Sequence, residues 1–260
     1  MNDHVTHEIR FTGEFAGPEG TPAATWSEHA ARYQYAAPIV SGKDVLDIAC
    51  GLGYGAHFLA GSARRVVGAD INSDLVKVAN TQYRRPNIGY LVADATRLPF
   101  GKETFHVVVS FETIEHLRDP DLFLLECARV LKGGGRFVCS TPNRRLISRW
   151  GSRPTNPFHV REFTELEFLE NVGKHFTDIQ LFCQRPRNNA VMLCFNLLGL
   201  LPFGVVAKRT ALRTRNLLSV KAPNQHPPVD RVVPEKFKVT PVDQVRGLPS
   251  YFIIVGRKPA

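Results

Sequence analysis

The stretch Val45-Leu46-Asp47-Ile48-Ala49-Cys50-Gly51-Leu52-Gly53-Tyr54-Gly55 constrains this chain more than any other. A short apolar strand pattern runs into closely spaced glycines, which let the backbone turn sharply and approach a ligand with no Cβ in the way. A helical pattern, Tyr54 to Ala60, follows at once. The turn therefore sets a ligand beside a helix N-terminus at the carboxyl end of a strand, where open α/β sheets bind nucleotides. Alone, such a turn is equally well a tight strand-to-helix connection. The residues that follow separate the two readings.

A second strand pattern, Arg65 to Ala69, closes on Asp70. An acid at that tip is placed to accept hydrogen bonds from two ribose hydroxyls. Ile88 to Ala93 reads as a third strand ending in Asp94-Ala95, and Phe105 to Ser110 as a fourth ending in Phe111-Glu112. One acid after a strand is commonly a helix cap. Acids at three successive strand ends point instead to a shared cleft. Helical patterns over Ser73 to Tyr83 and Pro120 to Leu131 alternate with these strands, which implies a parallel sheet with helices on both faces. Lys132-Gly133-Gly134-Gly135 reads as a helix C-cap and turn. Thr164-Glu165-Leu166-Glu167 opens a helix with a capping-type sequence. Asp178 to Cys183 and Tyr251 to Gly256 read as the last two strands.

The segments "VLDIACGLGYG", "VVGADIN", "VADATRLPF", "FHVVVSFETIEHL", "ARVLKGGGRFVCSTPN" and "NPFHVREFT" together resemble the class I S-adenosylmethionine-dependent methyltransferases, in particular the broad small-molecule group. The resemblance covers about Val40 to Phe176 and the final strand. It implies a Rossmann-like doubly wound α/β sheet, mostly parallel with an antiparallel last strand, the final two strands forming an antiparallel edge hairpin. It also implies S-adenosylmethionine as cofactor and S-adenosylhomocysteine as product. Carried over to this chain, Gly51 and Gly53 pass under the methionine moiety with Ala49 and the Asp47 carboxylate near the turn. Asp70 holds the ribose, Ile71 packs on the adenine, Asp94 accepts from the adenine amine, and Ala95 lies beside it. Phe111 and Glu112 sit at the tip of the fourth strand. A helix over Ala23 to Ala37, ending before Pro38, covers the cleft and brings Arg32-Tyr33 near the amino-acid end, with a surface Arg and a core Tyr as the plainer alternative. A dehydrogenase fits poorly, because the turn is Gly-x-Gly-x-Gly and the fourth- and fifth-strand motifs have no counterpart there.

Methyl transfer to oxygen needs a positioned acceptor and a group that removes a proton. His116, just past the fourth strand, and His159, past the fifth, are the candidates. His159 lies on the side where acceptors enter and is the expected general base, with His116 positioning. The alternatives are that Glu115 and His116 only orient their loop and that His159 caps or packs before the Thr164 helix. No Cys, His or carboxylate spacing predicts a metal ligand set, so turnover is expected without one. "STPN" after the fifth strand, in place of a Pro-Pro-Tyr pattern, argues against the amino-group methyltransferases of nucleic acids and proteins.

The expected reaction is O-methylation of a small-molecule hydroxyl on a sugar, glycolipid or secondary metabolite. The alternatives are N- or C-methylation, including quinone-like lipids, and a non-catalytic regulatory protein that binds S-adenosylmethionine or its product. The net charge of +9 could attract nucleic acid, an anionic membrane surface or a phosphorylated substrate. Runs interleaving aromatic and basic residues, as single-strand binders use, are missing from the sequence, so nucleic acid is disfavoured. Five cysteines, an odd number, without a secretory leader point to a reducing cytoplasm.

The organisation expected is an arm and covering helix over 1–40, a cofactor-binding core over 41–186, an insertion over 187–248 and the last strand over 249–260. Asn188 to Ala207 holds twenty residues without a formal charge. Its length suits a membrane span, but a span there would part the last strand from its sheet. An apolar helical hairpin serving as a substrate lid is the expectation. Peripheral membrane or lipid-linked substrate contact through the basic stretch Val205 to Leu218 is the alternative. Oligomeric state is left open.

Overall fold

The computed structural model describes residues 21–148, 156–184, 239–244 and 249–260, with isolated positions at 17, 154, 229 and 237. The 188–207 segment and most of the expected insertion lie outside them, as does Cys194. Helix α1 (Ala23–Val40) precedes strand β1 (Asp44–Ile48), and the chain then alternates α2 (Tyr54–Leu59), β2 (Arg65–Asp70), α3 (Ser73–Gln82), β3 (Ile88–Val92) and β4 (Phe105–Phe111). After it come α4 (Pro120–Val130), β5 (Leu131–Pro142), the short α5 (Arg144–Ile147), α6 (Glu165–Gly173), β6 (Thr177–Gln184), β7 (Thr240–Pro241) and β8 (Tyr251–Arg257).

The strands form one sheet in the order β3-β2-β1-β4-β5-β8-β6-β7. β1 is flanked in parallel by β2 and β4, Val45 pairing with Val66 on one side and Val107 on the other. The strand order reverses there, so the loops after β1 and β4 part and leave a crevice at the carboxyl ends. β1 is buried at every position, as a central parallel strand covered on both faces must be. One core cluster packs α1 and α2 on one face, and a second packs α4 and α6 on the other.

Local chemistry sets the helix starts. Asn72 Oδ1 accepts from the Asp74 and Leu75 amides. Asp119 accepts from the Leu122 amide, with Pro120 just inside α4. Thr164 and Glu167 form a reciprocal capping box.

Two expectations change, and two further features of the sheet follow. α1 runs through Pro38 to Val40. A proline this close to a helix end removes one hydrogen bond, and burial of Ala36 and Val40 keeps the last turn in place. Lys132 to Gly135 is an irregularity inside β5 and not a separate cap: Leu131 pairs with Phe105 and Arg136 with Val107, so the glycines bulge between two paired positions. The expected antiparallel pair of late strands is present, β6 with β8, and β8 pairs on its other side with β5. β7 adds two residues outside β6, and Pro241 sits on this edge strand, the place in a sheet where a proline is tolerated. Finally, the basic segment after β5 opens with the short α5.

Candidate active site

The turn after β1 alternates in handedness, with positive φ at Ala49 (57°), Gly51 (56°) and Gly53 (87°). The three glycines have three different jobs. A Cβ at Gly51 would meet nothing within 4 Å, so this residue opens onto the crevice. At Gly53 a Cβ would lie 2.7 Å from Ala79 Cβ and 2.8 Å from the Tyr90 ring. At Gly55 it would fall 1.9 Å from Tyr33 Cζ, so this glycine exists to admit the α1 tyrosine.

Tyr33 is buried, packs edge-on to Phe111 with ring centroids 5.0 Å apart, and donates its hydroxyl to Asp47 Oδ2 at 3.2 Å. Asp47 is fully buried on β1, and burial pushes its carboxyl up to about 8. Asp70 is buried at the end of β2. It accepts from the Gly51 amide at 2.8 Å and the Asn72 amide at 2.9 Å, so it tethers the glycine turn to β2. Burial raises its carboxyl above the usual range, against the pull of those amides. Ile71, next in the chain, is 70% exposed on the rim.

Asp94 is different. It is exposed, and Thr96 donates to its Oδ1 from both backbone and hydroxyl, which holds the carboxyl below its usual range. Ala95 is half-buried beside it. Glu112, half-buried with φ 55°, accepts from Ser140 Oγ at 2.8 Å. The three strand-end acids thus occupy three environments.

Sequence reasoning undervalued Arg32, which is fully buried, contrary to the surface alternative. Its Nη1 donates to Gln184 Oε1 at 2.8 Å and its guanidinium lies 4.7 Å from the Tyr251 ring centre, while Nε and Nη2 have no partner among the described residues. Glu28, one turn earlier on α1, is pushed up to about 7 by burial, against the pull of Arg32. The i, i+4 Glu–Arg spacing is the sequence signal that pointed here.

The fold brings the two candidate histidines together. A 3₁₀ turn, Ile114–His116, follows β4, and the Glu115 carbonyl accepts from the Val160 amide at 2.9 Å and the Arg161 amide at 3.0 Å. Those bonds staple the segment carrying His159 onto the segment carrying His116. The imidazoles meet edge to face, centroids 4.8 Å apart at 90°.

Each ring has its Nδ1 committed. His116 Nδ1 lies 3.0 Å from the Phe158 carbonyl, which can only accept, so the proton sits there and Nε2 carries the lone pair. Burial, then His159, holds His116 down at about 4. His159 Nδ1 lies 2.9 Å from Glu162 Oε1, and Ser148 donates to the other oxygen of Glu162. Asn156 Oδ1 accepts from the Phe158 amide, which turns its Nδ2 toward His159 Nε2 at 2.8 Å. Glu162 and Asn156 were not singled out from the sequence, although His-x-x-Glu spacing was there to be read.

Glu115 is fully buried between these parts. Its Oε2 accepts from Thr141 at 3.1 Å, its Oε1 has no partner among the described residues, and burial raises its carboxyl well above the usual range.

Residues 46–139 match the methyltransferase-domain family. A protein of Mycolicibacterium smegmatis, named a probable S-adenosylmethionine-dependent methyltransferase, is 41% identical over 62% of this chain and 63% of its own length. A similarly named protein of Mycobacterium tuberculosis is 41% identical over 66% of this chain and 63% of its own length. The chain thus spans under two thirds of these relatives. The ubiquinone biosynthesis O-methyltransferase of Agrobacterium fabrum is 34% identical over 42% of this chain and 45% of its own length. Among solved structures, a SAM-dependent methyltransferase from Thermotoga maritima superposes with a TM-score of 0.59 at 16% identity, covering 90% of this chain and 92% of that one. The [4+2]-cyclase SpnF superposes with a TM-score of 0.58 at 16% identity, covering 94% and 86%. Those two likenesses concern the fold alone, which hosts more than one chemistry. The matched domain and the sequence relatives carry the assignment: residues 46–139 form a methyltransferase domain of the class I S-adenosylmethionine-dependent kind.

Proposed function

We propose that this chain methylates a hydroxyl of a small molecule, and that the His116–His159 pair receives that hydroxyl. The pair itself carries the reading: two imidazoles in contact, each with its Nδ1 proton committed elsewhere, keep their Nε2 lone pairs on the acceptor side of the sheet, that of His159 held by the Asn156 amide until an acceptor displaces it. An amine arrives with its own lone pair, whereas a hydroxyl needs its proton taken as it reacts.

The residues on the donor side fit the cofactor. Gly51 leaves room for backbone approach, Asp70 stands at the ribose position, and exposed Ile71 offers an apolar face for adenine. Asp94, with Ala95, lies at the rim as the acceptor for the adenine amine, and Tyr33, Asp47, Ala49, Gly53, Phe111 and Glu112 line the methionine end. Arg32, with two unpartnered nitrogens, has unmet capacity for a carboxylate. When bound, S-adenosylmethionine supplies a methyl carbon on a sulfonium, which takes an electron pair from the acceptor oxygen and leaves S-adenosylhomocysteine as a neutral thioether.

The chain's own work is then to hold the acceptor and remove its proton. His159 is the better proton acceptor of the two, since Glu162 fixes its tautomer and stabilises the charge it would gain. His116 packs against it and sets its position. Partners are confined to the small-molecule acceptor in this reading. Among the described residues no helix is long and apolar enough to cross a membrane. The ubiquinone-pathway relative is compatible with a phenolic or other hydroxyl acceptor.

The test is a matched set of acceptors that differ only in carrying a hydroxyl or an amine, assayed for S-adenosylhomocysteine release with wild type, His159→Ala and His116→Ala. Hydroxyl turnover that collapses in His159→Ala supports the reading. Amine turnover indifferent to both histidines would overturn it.

A further inference from the structure

A carboxylate oxygen buried without a hydrogen-bond partner is costly, and a native fold that keeps one leaves something to be explained. Glu115 Oε1 is such an atom, in a side chain buried completely beneath the acceptor side of the crevice. Beside it stand the two histidines. One ligand-type atom from each of Glu115, His116 and His159 lies within 4.8 Å of the others. Two cis ligands of a divalent ion with bonds of about 2.1 Å stand about 3.0–3.4 Å apart, so shifts of about 1 Å bring the three onto one ion.

The surroundings of the rings match what metal-ligating histidines need. A ligating imidazole donates its other N–H to a carbonyl or carboxylate, which fixes its orientation and raises its basicity. His116 has the Phe158 carbonyl in that place and His159 has Glu162, itself held by Ser148. Neither ring donates a proton to the other, because both protons point outward. A ring nitrogen of each histidine and a carboxylate oxygen lie within reach of one another, His159 Nε2 accepting from Asn156 meanwhile, and a cation is what would satisfy all three together.

We propose that Glu115, His116 and His159 form a binding site for one divalent first-row transition-metal ion, with open positions toward the acceptor hydroxyl. Two imidazoles and one carboxylate suit Mn²⁺, Fe²⁺, Co²⁺ or Zn²⁺ better than Mg²⁺ or Ca²⁺. The Asn156 amide has to withdraw from His159 Nε2 for the ion to enter. An ion there acts as a Lewis acid that lowers the pKa of a bound hydroxyl. This inference rests on the hydroxyl reading and refines it, because a lone pair given to an ion is no longer a base. The site escaped sequence reasoning because its ligands come from two distant segments.

The experiment uses the full chain after dialysis against EDTA, titrated with Co²⁺ alone and followed by calorimetry and visible absorption. One Co²⁺ per chain, with absorption bands of a nitrogen–oxygen site, is the expected result. Glu115→Gln, His116→Asn and His159→Asn should each weaken binding more than about tenfold. S-adenosylhomocysteine binding by each variant reports that its core is folded. Absence of saturable Co²⁺ binding by wild type, or binding unchanged in all folded variants, overturns the proposal. Hydroxyl methylation that survives metal stripping but dies in His159→Asn overturns it too, and leaves the hydroxyl reading standing. Co²⁺ bound at these residues in a protein that methylates only amines supports the site and overturns that reading instead.

Discussion

The two walls of the crevice are built from different materials. On the donor side, backbone does most of the work: left-handed residues at 49, 51 and 53, a glycine that opens onto the crevice, and an aspartate that ties two strand ends through their amides. On the acceptor side, side chains do it: Glu115, His116 and His159, held by Phe158, Glu162, Ser148 and Asn156. A backbone site depends on a continuous run of residues and tolerates little change in it. A side-chain cluster depends on two segments docking, and its members can be exchanged without disturbing the sheet. Under the proposed function, the donor wall suits a constant cofactor and the acceptor wall a variable substrate.

The largest effect that would sharpen this contrast is loss of turnover without loss of cofactor. His159→Ala should lower the rate by about 10²–10⁴-fold, with S-adenosylhomocysteine affinity by calorimetry unchanged. A matching fall in that affinity would break the separation of the two walls. Next come the donor-side variants. Asp70→Ala should weaken S-adenosylhomocysteine binding by about 1–3 kcal/mol, the range for hydrogen bonds to a charged group. The same variant frees the Gly51 amide, so hydrogen exchange should rise at the turn. Gly55→Ala drives a methyl into the Tyr33 ring and should destabilise the fold by about 1–3 kcal/mol, read as a lower denaturation midpoint. In a double-mutant cycle, Gly55→Ala should cost less in a Tyr33→Ala background than in wild type, and an equal cost would refute the packing role given to Gly55.

The smallest effect concerns Asp47. Burial raises its carboxyl to about 8 in the folded chain, far above its unfolded value of 3.8. The folded state therefore holds a proton that the unfolded state releases. The corresponding stability is fully present below the unfolded value and is lost as pH rises to about 8. Asp47→Asn should remove this pH dependence and raise the melting temperature of the ligand-free protein at pH 8. A gain of about 1 kcal/mol would appear as roughly 2–4 °C. The same variant should bind S-adenosylhomocysteine no better than wild type. A melting temperature unchanged at pH 8 would count against a buried carboxylate cost at this site.

Residues 45–111 could be read as alternating strands and helices because each strand there is a short apolar run closed by an acid or a glycine. The switch between β1 and β4 follows from that alternation together with right-handed crossovers. Other parts were illegible for stated reasons. Pro38 looked like a stop, but burial of the helix beyond it outweighs one missing hydrogen bond. The glycines after α4 looked like a cap, but their neighbours pair with β4 on both sides. Arg32 could be read either near the cofactor's amino-acid end or on the surface, and only the stacking of Tyr251 and the amide of Gln184 show why a guanidinium can be buried there.

The sequence by itself determined the donor wall, because a glycine turn, a strand-end aspartate and the pleat between them are local, and periodicity and φ preference act over a few residues. Only the tertiary structure decided the acceptor wall. His116 and His159 were visible as residues, and which of them was the base looked like a choice between rivals. Two amides reaching the Glu115 carbonyl fold the 156–161 segment back and turn the rivals into one pair around a buried carboxylate. Contacts between such distant segments cost loop closure before they return any energy, and no short-range pattern encodes them.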